Sequence, residues 1–341
     1  MEKDDKKRWD YLDYTRAIGI LLIVMQHAFQ YFWVFDGIVS YIKSFHVTIF
    51  FVISGYIAGA RYEEGLSFRK VIINRSKSLL IPYIVFSCIN TFLKFTVLEI
   101  QGYLTKEIIR QEMTEFFITG NGTVWFLTTL FLIEIIFYCL RGKYENIIYI
   151  VTGIIWGGIP FFLSQNSDPL RIILRRTMVG YAFFIGGYFL GRYIIQKIKI
   201  NFIAVIVLMG TGFMIWRKSS CEMNYFSGKF EGFIPAILIN ICSVAGILMF
   251  MYLLDDRVGS RLKLLSYIGR NSLIIMLMHP IFLMCYIYPF GGKIAGYSEG
   301  MQKAAGVILY FVLIVLEIPA IELIQRYFPF MIGKKRTKKY D

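Results

Sequence analysis

Long apolar runs recur along almost the whole chain, and the polar and charged residues are gathered between them. The first run is about Tyr14 to Phe35. Others fall at about 44–60, 78–98, 123–140, 146–164, 177–195, 200–216, 233–253, 266–288 and 304–325. Each is close to the roughly 20 residues that a helix needs to cross a bilayer. The first run is too long for a signal-peptide core and has no small-residue cleavage site, so it reads as an uncleaved first span. The pattern therefore predicts an all-α, polytopic integral membrane helix bundle of about ten transmembrane helices. The bundle covers residues 14–326, between a polar segment 1–13 and a basic tail 327–341. Ten spans take up about 200 residues; the rest is loop, with no room for a separate soluble domain.

Composition agrees. Hydrophobic residues make up 57 % of the 341, charged residues only 18 %, and the mean hydropathy is +0.58. A soluble domain sits near 45–50 % apolar and about 25 % charged. A soluble enzyme, a disulfide-stapled secreted module and a disordered chain are set aside together. The net charge of +14 would suggest a nucleic-acid partner in a soluble protein; here none is expected, because the positive-inside rule accounts for it. With the N-terminus inside, the inner segments hold about twice as many Lys and Arg as the outer ones. An even number of spans then gives N-in/C-in in the inner (plasma) membrane. That count places Arg171, Arg175 and Arg176 in an outer loop. The five cysteines have neither metal nor disulfide spacing, and no metal site is expected.

Polar groups inside spans carry the chemical information, because each costs free energy and usually faces an interior cavity. Span one carries Arg16 and, further in, His27. His46 opens span two, Glu134 lies in span four, and Gly269-Arg270-Asn271-Ser272 leads span nine towards His279. His27 and His279 each lie 13 residues from a cytoplasmic start at Tyr14 or Ser266, roughly 20 Å deep. With His46 at the outer end of span two, the three imidazoles are expected to converge in the outer half of the bundle. A membrane histidine can also do no more than bond a neighbouring helix. A base near neutral pH is the other reading, and histidine suits it. The loop Arg61 to Lys77 gathers Arg69, Lys70, Arg75 and Lys77, a cluster suited to phosphates such as those of an acyl-CoA. No Walker-type Gly-Lys-Ser/Thr run appears, which argues against an ATP-driven pump. Gly296-Tyr297-Ser298-Glu299-Gly300 matches Gly-x-Ser-x-Gly but lacks the strand–turn–helix setting of a nucleophile elbow, so it reads as a loop.

Several of these segments, taken in order, resemble the acyltransferase 3 family of bacterial membrane acyltransferases. They are Tyr11-Leu12-Asp13-Tyr14-Thr15-Arg16-Ala17 leading to His27, and Phe45-His46 through Ser54-Gly55-Tyr56. They continue with Arg75 before Leu79-Leu80-Ile81-Pro82-Tyr83, Val124-Trp125-Phe126-Leu127, and Gly269-Arg270-Asn271-Ser272 with His279. The last is similar to the branch related to fucose 4-O-acetylase. The resemblance covers essentially the whole chain. Met25-Gln26 before the histidine and Ser76-Lys77-Ser78 after Arg75 depart from its pattern.

The resemblance implies O-acylation, most often acetylation, of a sugar hydroxyl on a surface or exported glycan or lipid-linked sugar. Acetyl-CoA would be the donor substrate, with no permanently bound cofactor. Arg16, Arg69, Arg75 and Lys77 would hold the CoA phosphates. His27 would remove the acceptor proton or take the acyl group transiently. Glu134 would either orient a histidine or balance Arg16. His46 and His279 would bind the sugar or polarise the thioester. Trp125, Asn271 and Ser272 would contact the acceptor. The alternative from another class is a glycan or small-solute transporter or flippase. Its spans more often carry Gly/Pro breaks in matched halves, and Pro82, Pro160, Pro235, Pro280 and Pro319 show no such pairing.

Overall fold

A computed structural model describes residues 9–334 except 33, 63–66, 121, 195–199, 220 and 295. The polar residues 1–8 and the lysines and arginine at 335–339 lie outside the described residues. Each of the ten expected apolar runs is helical. In chain order the helices are α1 (Asp10–Tyr31), α2 (Asp36–Lys43), α3 (His46–Ala60), α4 (Phe68–Arg75), α5 (Ile81–Ile100), α6 (Lys106–Thr114), α7 (Trp125–Cys139), α8 (Glu145–Gly158), α9 (Pro169–Phe189), α10 (Phe202–Lys218), α11 (Phe233–Val258), α12 (Lys263–Arg270), α13 (Ser272–Ile294) and α14 (Glu299–Tyr327). A π turn, Ser76–Leu80, joins α4 to α5 without a break.

Among the described residues, five helical stretches are long and apolar enough to cross a membrane. A sixth qualifies if α12 and α13 count as one span bent by 75°. α1 fails on composition, since Asp10, Asp13, Arg16, Gln26, His27 and Gln30 dilute it. The residues that weaken it as a lipid-facing helix are those that suit it to line an interior.

Local signals set the helix starts. The Asp168 carboxylate accepts from the Arg171 N–H at 2.9 Å with Pro169 in the first turn of α9, and Asn201 accepts from the Ala204 N–H at 2.7 Å to open α10. Pro319, inside α14, has no N–H to give the preceding turn.

Packing turns on glycine. Gly55 and Gly59 on α3, and Gly187 and Gly191 at the end of α9, are spaced four apart. A Cβ on Gly55 or Gly59 would run into the Phe184 or Tyr188 carbonyl oxygen. One on Gly187 or Gly191 would run into the Val52 or Tyr56 carbonyl oxygen. Two small-xxx-small faces therefore interlock backbone against backbone, as membrane helices do when no hydrophobic effect draws them together.

Three features depart from expectation. The connection between α10 and α11 holds a two-stranded antiparallel hairpin, β1 (Glu222–Asn224) and β2 (Lys229–Glu231), with Met223 opposite Phe230. Its Met223, Tyr225 and Phe230 are buried, so it caps the bundle from within. Arg175 and Arg176 are not loop cations: both lie in the early turns of α9 and are fully buried. The start of the tail docks as a 3₁₀ turn, Pro329–Ile332, with Ile332 in the core. Gly333 (φ +68°) follows so closely against the Lys77 carbonyl that no side chain would fit.

Candidate active site between α1, α7, α9 and α13

The first-span and ninth-span motifs meet directly. Gly269, at the end of α12, lies on the Asp13 backbone so closely that a Cβ would strike the Asp13 carbonyl oxygen. Arg16 pairs with that same residue's carboxylate at 3.1 Å. The chain then bends at Asn271, which is buried and caps its own turn by donating to the Tyr267 carbonyl at 2.9 Å. The Asn271 side-chain oxygen accepts from Gln325 of α14. Ser272, half-buried, opens α13 after the bend.

The bend changes the expected depth count, because α13 starts at Ser272 and points away from α12. The expected convergence survives in part. The His27 and His279 rings lie 5.3 Å apart between centroids, tilted by 37°. His279 is fully buried. Its Nδ1 donates to the Ile275 carbonyl of the preceding turn at 2.8 Å, and its Nε2 has no hydrogen-bond partner. In a neutral imidazole, Nδ1 as donor leaves Nε2 as a bare acceptor. His46 opens α3 with the same device, donating from Nδ1 to the Ile42 carbonyl at 2.8 Å. It is close enough to His27 to interact electrostatically, and the Lys43 charge reaches both rings.

Glu134 neither pairs with Arg16 nor touches a histidine. It is buried on α7 and forms an ion pair with Arg75 Nε at 2.8 Å, although the N–H is not aimed along a hydrogen bond. Tyr138, one turn on from Glu134, faces the same guanidinium. Arg75 sits at the last turn of α4, so this pair ties the basic loop to the interior. Arg69, Lys70 and Lys77 are exposed.

Trp125 begins α7 and is buried. Just before it, the Thr123 hydroxyl donates to the Met276 carbonyl of α13 at 3.2 Å, three residues short of His279. Trp125 stacks in parallel on Tyr225 of the hairpin at 6.3 Å, and the Tyr225 hydroxyl meets Thr48 of α3 at 3.1 Å. The Arg176 guanidinium lies 5.0 Å over the Trp125 ring. Sequence reasoning missed Arg176 by placing it in a loop. The Asp168-Pro169 helix start eight residues before it is the signal that would have moved it inside.

The structure therefore brings together His27 and His279, and the Thr123–Met276 bond ties the start of α7, with Trp125, to α13. It groups Arg75 with Glu134 apart from them, and Arg16 with Asp13. No curated protein and no solved structure matches the chain. A family model described as an acyltransferase domain matches residues 9–319, which covers both groups of residues and the helices that carry them, so the chain belongs to the acyltransferase 3 family of membrane acyltransferases.

Proposed function

We propose that the protein is an O-acyltransferase of the fucose 4-O-acetylase-like kind. It moves an acetyl group from cytoplasmic acetyl-CoA to a sugar hydroxyl of an exported or surface glycan. The observation that carries this reading is the His27–His279 pair, with His279 Nε2 unpartnered inside the bundle. His27 takes the acceptor hydroxyl proton as the oxygen attacks the thioester carbonyl. The new C–O bond forms, the C–S bond breaks, and the imidazolium returns the proton to the departing CoA thiolate. His279, with its ring orientation fixed by Ile275, supports His27 in its neutral form. His46, Trp125, Asn271 and Ser272 border the acceptor.

The donor approaches from the basic face. The exposed Arg69, Lys70 and Lys77 take the phosphates, and Glu134 holds Arg75 at the boundary between that face and the interior. Contact of Gly333 with Lys77 sets Lys334 beside the same loop and adds positive charge there. Arg16 stands at the cavity mouth with Asp13. The bundle has about ten spans with both termini inside, in the inner (plasma) membrane of a bacterium.

Purified protein incubated with labelled acetyl-CoA and a glycan acceptor tests this. Acceptor-dependent CoA release is expected, and a glycan or solute exporter would give none. His27→Ala, inserted normally, is expected to lose about 10²- to 10⁴-fold in rate, the usual contribution of a positioned base. An unchanged rate would remove His27 from the mechanism.

A further inference from the structure

Arg176 is a fully buried guanidinium whose positive charge is left uncompensated. Its Nη2 donates to the Thr119 carbonyl, and its Nε and Nη1 have no partner. No carboxylate pairs with it among the described residues. A cation taken out of water is stable only when paired and hydrogen-bonded, and a neutral carbonyl with one aromatic face is a weak substitute. Its neighbour Arg175 shows the satisfied case on the same helix. Nε donates to the Gly228 carbonyl at 2.8 Å, Nη1 to Ser164 at 2.5 Å and Nη2 to Asn166 at 2.7 Å. Arg175 serves to pin the hairpin and the 164–166 loop to α9, whereas Arg176 makes only the one bond to Thr119 and leaves two of its three nitrogens unused.

The surroundings of Arg176 are polar and also incomplete. Tyr83 of α5 lies close to both Arg176 and Ser87. Ser87 Oγ, facing Tyr83, and Thr177 Oγ1, on the next residue of α9, are buried without hydrogen-bond partners. The Trp125 ring, stacked on Tyr225, carries the guanidinium, and Thr123 ties its helix start to the turn of α13 that precedes His279.

We infer that Arg176 binds an anionic group of the acceptor, a carboxylate or a phosphate, with the hydroxyls of the adjoining sugar on Thr177 and Ser87. The site would make this an enzyme for acidic or phosphate-linked sugars. Naming the ligand as acceptor rests on the acyltransferase reading; binding of the anion does not.

Equilibrium dialysis of the full-length protein in detergent, without acetyl-CoA, separates the two. The probes are glucuronate, glucose 1-phosphate and glucose. At least tenfold tighter binding of one or both acids than of glucose is expected. The glucuronate arm reports a carboxylate and the glucose 1-phosphate arm a phosphate. Glucose bound as tightly as both acids overturns the inference in the wild-type protein alone. Arg176→Gln is expected to erase the preference, and a preserved preference overturns the assignment to Arg176. Arg176→Lys keeps the charge without the planar fork. It serves if the glutamine variant does not insert: acid binding at least threefold weaker with glucose binding unchanged is expected, and unchanged acid binding overturns it. An intact acid preference in a protein that never releases CoA would retire the acyltransferase reading and leave the anion site standing.

Discussion

At the residue scale, the buried charges divide into those that are paired and those that are not. Glu134 is almost fully buried, whereas the Arg75 side chain is 37 % exposed. The two deletions are therefore unequal. Arg75→Ala strands a carboxylate in the interior and is expected to cost about 3–5 kcal/mol. Glu134→Ala leaves a guanidinium that still reaches water, and should cost less than half as much. Thermal unfolding of the single and double variants in detergent checks this. The double variant should be more stable than Arg75→Ala alone, and a double variant whose loss equals the sum of the two single losses would mean the pair is not coupled. The sequence made His27, His46, His279 and Glu134 legible because a polar residue in an apolar run stands out. It did not show which partners they take. Glu134 was expected to orient a histidine or balance Arg16, and its observed partner is Arg75, from the last turn of α4. Arg176 was hidden for the opposite reason: three arginines in six residues look like a loop.

Helix contacts show the same limits one level up. Each of the ten apolar runs falls on a helix, but the ends differ by up to eight residues, as where α9 starts at Pro169 and not at 177, and among the described residues only five or six stretches are long and apolar enough to cross a membrane. Which helices touch depends on small residues, and Gly55/Gly59 and Gly187/Gly191 were visible only as spacings without partners. Their geometry makes two neighbouring glycines opposite in effect. Gly187→Ala drives a methyl into the Val52 carbonyl oxygen and forces α3 and α9 apart, which should cost about 1–3 kcal/mol. Gly186 faces an apolar cleft of about 470 Å³ between α3, α8, α9 and α11, with nothing within 4 Å of the place a methyl would take. Gly186→Ala should therefore be neutral or raise stability by up to about 1 kcal/mol, the ordinary gain from removing a mid-helix glycine. The unfolding temperature should fall for Gly187→Ala and stay level or rise for Gly186→Ala; a drop of similar size in both would show that α9 is not packed on α3 through that face. The bend between α12 and α13 belongs to this scale too. A continuous 266–288 span was expected, and the Asn271 side chain, bonded to Tyr267 and Gln325, is what turns the chain instead.

For the whole molecule, the question is which side each end of the bundle faces. Apolar length identifies the helices but is silent on direction, and the charge bias used for direction sharpens only slightly once Arg175 and Arg176 are taken out of the outer loops. The structure supplies a constraint that does not depend on counting. Contact of Gly333 with Lys77 puts the start of the tail and the loop before α5 on one face. The Arg175 bonds to Gly228, Ser164 and Asn166 put the hairpin and the loop before α9 on one face as well. If the donor is a cytoplasmic thioester, the first face must be inside and the second outside. In a background with all five native cysteines replaced, Lys77→Cys and Lys334→Cys should react with a membrane-impermeant maleimide only after cells are broken. Asp168→Cys and Glu231→Cys, both exposed, should react in intact cells. Labelling of Lys77→Cys in intact cells would invert the bundle and place the basic loop out of reach of acetyl-CoA, and no rearrangement of the histidines could then restore a cytoplasmic donor.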